Sequence, residues 1–232
     1  MKLGIVCCLH GNEPYGLEVA NKLNVSYFMG NEKALELNKR FIDSDLNRCF
    51  PGDVNGNHEE QLAYSLLTKL KDFDYVIDLH SCSNKCPLFG IITKANDEKI
   101  ELAKKLGLEK LVIMSDALAS GNALIDNVNL GISLEIGPHL SADNVDKVAE
   151  KINNILEDKN KNDDMEIYEV FEIIKKKGSN VLIENFEEVT KGELIANEDM
   201  FKQYAPFDFV SVLVNEEAYP NILCLAARKI KF

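Results

Sequence analysis

Two histidines and a glutamate early in the chain are residue types that bind metal ions. His10 ends the apolar run Leu3–Leu9, with Glu13 shortly after it, and His80 ends the apolar run Tyr75–Leu79. Side chains that follow two strands of one sheet can meet at the same edge. Three protein ligands that leave one position open are typical of a catalytic zinc ion. The pattern leaves two interpretations open, a His/Glu/His metal site and two unrelated histidines with ordinary hydrogen bonds.

A long loop contributes cationic and amide side chains. The segment 40–57 contains RFIDSDLNRCFPG, and its proline, glycines and scattered charges predict a loop that holds Arg40, Asn47 and Arg48. A loop of this length without structure of its own is often functional. Guanidinium groups bind carboxylates in a two-pronged geometry that lysine cannot match. The alternative is weak surface pairing of these arginines with the aspartates of the same loop.

A glutamate interrupts an apolar run in the segment GISLEIGPH. Glu135 lies within the run 131–136, which predicts a buried strand. A buried carboxylate without a partner is costly, so Glu135 must have one. A raised pKa beside an activated water would suit a general base. The alternative is a glutamate at a strand end that is hydrogen-bonded to the backbone.

Composition limits the class of protein. The chain has 232 residues, of which 46% are hydrophobic and 28% charged, as in an ordinary globular protein with a buried core. Its net charge of −12 argues against a nucleic-acid partner, because such a surface repels phosphate. No apolar run approaches the ~18 residues of a membrane span, and no signal-peptide pattern precedes Leu3. We therefore expect a cytoplasmic protein that does not bind membranes.

The cysteines are predicted to be free thiols without a catalytic or metal-binding role. A cytosolic chain of this size rarely relies on disulfides. Cys82 and Cys86 are spaced C-x3-C, but no second pair completes a four-cysteine zinc site. The others are Cys7, Cys8, Cys49 and Cys224.

Apolar runs alternate with helical patterns through most of the chain, which predicts an α/β layered domain with a mostly parallel or mixed sheet. Strands are predicted at 3–9, 25–29, 75–79, 88–93, 111–114 and 131–136, and helices at 14–23, 31–38, 57–71, 96–106 and 141–156. The polar stretch 157–166 predicts a linker. Short β runs at 167–174, 181–186, 209–214 and 222–227 then predict a small all-β domain.

Five short segments, taken together, resemble the motifs of the succinylglutamate desuccinylase/aspartoacylase family of zinc-dependent amidohydrolases. They occur in family order and extend over nearly the whole chain. The segments are HGNE at His10–Glu13, R-x-x-x-x-D-L-N-R at Arg40–Arg48, DLH at Asp78–His80, E-x-G-P at Glu135–Pro138, and VNEEAY ending at Tyr219.

The resemblance implies a fold and a metal. It implies a zinc-carboxypeptidase-like catalytic domain, a mixed sheet flanked by helices, over residues 1–158. A small β domain over residues 166–232 would cap the active site. One zinc ion per chain would be held by His10, Glu13 and His80.

The resemblance also implies a role for the remaining motif residues. Glu135 would take a proton from water and pass it to the leaving amine, and Arg40 would stabilise the oxyanion. Asn47, Arg48 and Tyr219 would hold a substrate carboxylate. Asp78 and Glu216 would support the metal ligands.

The expected function is hydrolysis of the amide bond of an N-acyl amino acid, of acyl-aspartate or acyl-glutamate type. Aspartoacylase carries a substrate-binding arginine shortly before the E-x-G-P glutamate, and here that region, NALIDNVNLGISLE, has none. The acyl group and the amino acid therefore stay open. One alternative is a zinc carboxypeptidase that acts on short peptides, and another is a metal-binding regulatory protein without turnover. The expected partner is the small-molecule substrate, and a homodimer is left open.

Overall fold

The computed structural model describes residues 2–115, 121–139, 141–155 and 161–232. Strands and helices alternate in the first part, and strands follow one another after residue 165. The strands are β1 (Leu3–Cys7), β2 (Tyr27–Met29), β3 (Tyr75–Cys82), β4 (Phe89–Thr93), β5 (Lys110–Met114), β6 (Leu130–Pro138), β7 (Glu166–Lys175), β8 (Asn180–Val181), β9 (Glu188–Val189), β10 (Leu194–Glu198), β11 (Phe201–Tyr204), β12 (Phe209–Val212) and β13 (Ile222–Ile230). The helices are α1 (Tyr15–Ala20), α2 (Glu32–Glu36), α3 (His58–Leu70), α4 (Asp97–Lys105) and α5 (Val145–Asn153), with 3-10 turns at Leu46–Arg48 and Leu124–Asp126.

One mixed sheet of ten strands runs through the described parts of the molecule. Its strand order is β2-β1-β3-β6-β4-β5-β7-β13-β12-β9, and a second sheet has the order β11-β10-β8. Strands β2, β1, β3 and β6 are parallel to one another, and β4 pairs with β6 in the antiparallel direction. The predicted fold class, a mixed sheet flanked by helices with further β structure near the C terminus, is confirmed.

Helices cover both faces of the central strands, because successive residues of a buried strand point to opposite sides. On one side Ile5 packs in a cluster with residues of α1, α4 and α5, and on the other side Val6 packs with residues of α3. Burial of one such side chain contributes roughly 1.5–3 kcal/mol. These two layers hold the carboxyl ends of β1 and β3 in fixed positions.

Asparagines begin three of the helices, as the sequence pattern indicates. The side chain of Asn31 accepts a hydrogen bond from the N–H of Ala34 at the start of α2, and Asn96 does the same for α4. Asn57 and Glu60 form a reciprocal capping box at the start of α3. Each cap satisfies a backbone donor that the first turn leaves without a partner.

Several element boundaries differ from the predicted ones. Strand β3 continues past its predicted end, so that His80 lies inside the strand and not in the loop after it, whereas Glu135 lies inside β6 as predicted. The extension of β3 follows from its pairing with β6, where His80 lies opposite Glu135 and Cys82 opposite Pro138. Strands β9, β10 and β11 were not predicted, and the predicted strand 181–186 is reduced to β8. The loop 40–57 contains a 3-10 turn.

The all-β character expected after residue 165 is observed in the described residues, and four of these strands extend the main sheet. Strand β7 pairs with β5, and β13, β12 and β9 follow it. The predicted linker 157–166 lies partly outside the described residues, and the division into two domains stays a prediction. Within the described ranges, no helix has the length and apolar character that crossing a bilayer requires. The cytoplasmic location stays a prediction.

Candidate metal centre and its pocket

The turn after β1 directs His10 and Glu13 back toward the sheet. The N–H of Glu13 donates to the carbonyl of His10 (3.2 Å), and the N–H of Gly11 donates to the carbonyl of Arg40 (3.2 Å). A Cβ at Gly11 would lie 2.1 Å from the backbone carbon of Ala34, so this close approach of two backbone segments requires glycine. The turn is therefore fixed against the neighbouring loop.

His10, Glu13 and His80 converge at the carboxyl ends of β1 and β3. One candidate ligand atom from each lies within 4.8 Å of the other two. All three residues are buried, with exposed fractions of 3%, 3% and 5%. The structure thus brings together the three residues that the sequence indicated as metal ligands.

Both histidines direct Nδ1 toward the same glutamate. The Nδ1 atom of His10 lies 2.8 Å from Oε1 of Glu13, and Nδ1 of His80 lies 3.0 Å from Oε2. The other ring nitrogens contact carboxylates, with His10 Nε2 3.0 Å from Oδ1 of Asp45 and His80 Nε2 2.7 Å from Oδ2 of Asp78. A carboxylate on the outer nitrogen is the arrangement that orients a metal-bound histidine.

Negative charge dominates the immediate surroundings of this cluster. Burial by itself would raise the pKa of Glu13, but the two neighbouring histidines lower it well below its usual range. Burial would likewise lower the pKa of His80, but Asp78 and Glu13 raise it well above its usual range. Protonated histidines would balance this charge, and so would a divalent cation between the two Nδ1 atoms and the carboxylate. This donor set fits zinc, which prefers imidazole and carboxylate ligands.

Glu135 lies beside His80 on the same face of the sheet. The two residues are register partners in the parallel pair of β3 and β6, and Glu135 is 9% exposed. Burial, helped by Glu13 and Glu216, raises the pKa of Glu135 to about 8 against the opposing effect of His80. The thiol of Cys82 donates to Oε2 of Glu135 over 3.6 Å. A carboxyl group with this pKa can both accept and release a proton near neutral pH.

Arg40 lies at the edge of the cluster and contacts two of its carboxylates. Its Nη2 donates to Oδ2 of Asp45 (2.9 Å), and its Nη1 lies 3.4 Å from Oε1 of Glu13. Burial would lower the pKa of Arg40, but Asp45 and Glu13 raise it. The guanidinium carbon lies 5.8 Å from the ring centroid of Tyr219. Arg40 is therefore a fixed cation next to the candidate ligands.

Arg48 and Tyr219 meet at the mouth of the pocket, although they are far apart in sequence. The Nη2 of Arg48 donates to the hydroxyl of Tyr219 (2.8 Å), and its Nη1 donates to the carbonyl of Asn47 (2.7 Å). The side-chain oxygen of Asn47 accepts a hydrogen bond from the N–H of Leu124 (2.8 Å). These contacts bring the three predicted substrate-binding residues to one side of the pocket.

The two predicted supporting residues differ in what they contact. Asp78 contacts His80 directly, as expected. Glu216 does not contact a candidate ligand in a recorded hydrogen bond. Its Oε2 accepts from the N–H of Ser83 (2.7 Å), while its buried Oε1 has no hydrogen-bond partner among the described residues. Glu216 thus presents a free acceptor next to the pocket.

Sequence analysis missed three residues near the site. Asp45, treated there only as a surface ion-pair partner, contacts both His10 and Arg40. Ser81 follows His80 in the chain, and its hydroxyl oxygen lies 2.7 Å from Nδ1 of His139. The signal for Asp45 and His139 was their place inside the D-L-N-R and E-x-G-P-H segments.

A cavity of about 150 Å³ opens next to the cluster. Its walls come from the loop after β1, from the loop after α2, from the region of β3 to β6, and from the segment between β12 and β13. All eight residues predicted for the site line it, namely His10, Glu13, Arg40, Asn47, Arg48, His80, Glu135 and Tyr219.

The fold and the cluster define a mixed α/β protein with a buried candidate metal centre at the end of its central strands. The model of the succinylglutamate desuccinylase/aspartoacylase catalytic domain matches residues 1–158. The chain belongs to this family.

Relatives that are named for an activity are similar over part of the chain. A probable aspartoacylase of Acaryochloris marina is 30% identical over 159 residues, which cover 58% of this chain and 54% of the relative. A succinylglutamate desuccinylase of Pseudomonas putida is 27% identical over 242 residues, which cover 82% of this chain and 71% of the relative. The chain thus spans about half the length of the probable aspartoacylases that it matches.

Solved structures share the fold over nearly the whole chain. Murine aminoacylase 3 superposes with a TM-score of 0.84 at 20% identity, covering 99% of this chain and 95% of that one. A succinylglutamate desuccinylase/aspartoacylase from Rhodobacter sphaeroides superposes with a TM-score of 0.78 at 15% identity, covering 100% and 86%. At these identities the likeness concerns the fold alone.

Proposed function

We propose that this protein is a zinc-dependent hydrolase that cleaves the amide bond of an N-acyl amino acid. The observation that carries the proposal is the position of Glu135, a buried carboxyl group beside a His/Glu/His cluster and facing the same cavity. Family membership supports the proposal. So do the activities for which the relatives are named, aspartoacylase and succinylglutamate desuccinylase.

His10, Glu13 and His80 would hold the zinc ion. Bound zinc supplies a Lewis acid that polarises a carbonyl group and makes water acidic enough to act as a nucleophile near neutral pH. Asp45 and Asp78 hold the outer nitrogens of the histidines, and so they fix the direction in which the inner nitrogens point.

Glu135 would carry the proton. It takes one proton from the attacking water as the new C–O bond forms, and it donates that proton to the amide nitrogen as the C–N bond breaks. The products are a carboxylic acid and a free amine, so atoms balance with water as the only co-reactant. In the metal-free protein, burial raises the pKa of Glu135 to about 8, so this carboxylate holds a transferred proton more tightly than an exposed one would.

Arginine side chains would bind the charges of the substrate. Arg40 would stabilise the oxygen that becomes negative when water adds to the amide carbonyl. Arg48, Tyr219 and Asn47 would bind the carboxylate of the amino acid, because a guanidinium group matches a carboxylate with two parallel hydrogen bonds.

Metal analysis combined with an activity assay tests this proposal. Purified wild-type protein is expected to hold about one zinc ion per chain, and His80→Ala is expected to lose it. The zinc-loaded wild type should hydrolyse at least one member of a panel of N-acyl amino acids and dipeptides. A protein that binds no zinc when it is supplied contradicts the proposed metal centre. Bound zinc without turnover of any panel member contradicts the proposed hydrolysis.

A further inference from the structure

The face of the sheet that carries His80 and Glu135 continues onto two further strands, and there it is mainly apolar. Phe89 on β4 is the register partner of Glu135, and Ile91 and Thr93 follow it at alternate positions of the same strand. Met114 on β5 is the register partner of Thr93. Paired residues and alternate residues share a face, so Ile91, Thr93 and Met114 form a wall beside the candidate metal centre.

Residues from two connecting segments complete this apolar side. Ile125, in the 3-10 turn before β6, is 4% exposed and lines the cavity. Leu213, which follows β12, also lines it. Methyl and methylene groups therefore line this part of the cavity, and an apolar ligand group would gain free energy by contacting them.

The polar groups of this wall do not favour an anion. The hydroxyl of Thr93 donates to Oδ1 of Asp126 (2.5 Å), and Oδ2 of Asp126 accepts from the N–H of Ala123 (3.1 Å). Lys99 directs its ammonium group to the carbonyl of Thr93 (2.7 Å) and does not line the cavity. The charged group that this wall presents is therefore the carboxylate of Asp126.

The cationic side chains of the cavity come from a different segment, the loop after α2. Among the described residues that line it, Arg40 and Arg48 carry the guanidinium groups, and lysine does not occur. Arg40 already contacts two carboxylates. The hydrogen bonds of Arg48 go to neutral groups, the carbonyl of Asn47 and the hydroxyl of Tyr219. The segment 116–120, which lies outside the described residues, has the sequence DALAS and contains no basic residue.

We infer that the cavity takes a substrate with a single carboxylate, held by Arg48, and an apolar group that packs against Ile91, Met114 and Ile125. This inference rests on the proposed amide hydrolysis and narrows its substrate class. A second carboxylate would meet an apolar wall and the negative charge of Asp126, and a buried anion without a partner is strongly disfavoured. The apolar group can belong to the amino acid or to the acyl part.

Turnover measurements separate these substrates. The zinc-loaded protein is assayed with N-acetyl-leucine, with N-hexanoylglycine, and with N-acetyl-aspartate and N-acetyl-glutamate. We expect kcat/KM at least about tenfold higher for N-acetyl-leucine or N-hexanoylglycine than for both dicarboxylates. Preference for N-acetyl-leucine assigns the apolar group to the amino acid, and preference for N-hexanoylglycine assigns it to the acyl part. Equal or higher values for the dicarboxylates overturn the inference.

A binding measurement keeps the inference testable if no amide is cleaved. Calorimetry with leucine, hexanoate, aspartate and glutamate on zinc-loaded Glu135→Gln reports the preference of the cavity without turnover. Tighter binding of leucine or hexanoate than of the dicarboxylates upholds the inference, even where the absence of turnover contradicts the proposed hydrolysis. Tighter binding of aspartate or glutamate overturns it.

Substitution of the apolar wall tests the cause of the preference. Ile125→Arg supplies a cation and is expected to shift the ratio of kcat/KM, or of binding constants, toward the dicarboxylates by at least about tenfold. Ile125→Met keeps the wall apolar and should leave the ratio unchanged. Met114→Arg, at a half-buried position of the same wall, serves if Ile125→Arg does not fold. If the arginine variant that folds leaves this ratio unchanged, the apolar wall is not the cause of the preference.

Discussion

The two sides of the cavity are built on different principles. On the ligand side, His10, Glu13, His80 and the aspartates around them satisfy one another in a dense network of short contacts. On the apolar side, Ile91, Met114 and Ile125 present side chains that cannot form a hydrogen-bond network of this kind. The first side determines which reaction is feasible, because it holds the groups that move protons and charge. The second side determines which substrate fits.

The largest effect is expected where the two sides meet, at Glu135. Glu135→Gln removes the group that carries the proton but keeps its shape, so kcat should fall by about 10²–10⁴-fold for every substrate. Bound zinc, measured by elemental analysis, should stay at the wild-type level, because Glu135 is not one of the three candidate ligands. Unchanged kcat with zinc in place would contradict the role of Glu135.

The same residue makes the stability of the zinc-free protein depend on pH. Burial raises the pKa of Glu135 to about 8 from its usual value, so the folded state binds this proton more tightly than the unfolded state. The group therefore stabilises the fold most in acid, and that contribution disappears as pH rises through 8. Chelator-treated wild type should lose a few kcal/mol of unfolding free energy relative to Glu135→Gln between pH 5 and 8.

Chemical denaturation of both proteins at several pH values provides the measurement. The difference between the two proteins reports the ionisation of Glu135, together with its charge interactions with Glu13 and His80. A difference in unfolding free energy that stays constant over this pH range would contradict the raised pKa.

Sequence analysis was more successful on the ligand side than on the apolar side. His10, Glu13 and His80 were predicted as ligands because they lie in motifs that resemble those of the family, whereas their positions after apolar runs left two interpretations open. Ile91 and Met114 have the appearance of ordinary core residues, and nothing local marks them as pocket walls. They reach the cavity because β4 pairs with β6 in the antiparallel direction and with β5 in parallel. The pairing of β4 with β6, which are not consecutive in the chain, has no signature in a single sequence.

The predicted end of strand β3 was wrong for a related physical reason. His80 and Ser81 were expected to follow the end of their strand. In the structure His80 pairs with Glu135 of β6, and Glu135 pairs in turn with Phe89 of β4, so backbone pairing extends the sheet regardless of side-chain polarity. The short strands β9, β10 and β11 lack apolar runs long enough to be predicted.

An intermediate effect is expected at Asp45, which supports the ligand side from behind. Asp45 contacts Nε2 of His10 and the guanidinium group of Arg40. Loss of a carboxylate that orients a metal-bound histidine typically lowers metal affinity 10- to 100-fold, and Asp45→Asn should do the same. Competition with a zinc chelator measures this affinity.

The matched control is Asp43→Asn, in the same loop. The side chain of Asp43 accepts a hydrogen bond from the N–H of His58 and makes no hydrogen bond to any of the three candidate ligands among the described residues. Zinc affinity should therefore stay at the wild-type value. Equal losses in the two variants would indicate that the charge of the loop matters, and not the contact between Asp45 and His10.

The smallest effect is expected at Tyr219, where one hydrogen bond orients Arg48. Tyr219→Phe removes the hydroxyl that accepts from Nη2 of Arg48 and keeps the ring. A single neutral hydrogen-bond partner is worth about 0.5–1.5 kcal/mol, so KM should rise several-fold for every substrate with a carboxylate, while kcat changes little. Because the hydroxyl acts on the carboxylate and not on the apolar group, the ratio between N-acetyl-leucine and N-acetyl-aspartate should stay constant. A changed ratio would show that Tyr219 contacts the apolar side, and the division of the cavity into two independent sides would then be wrong.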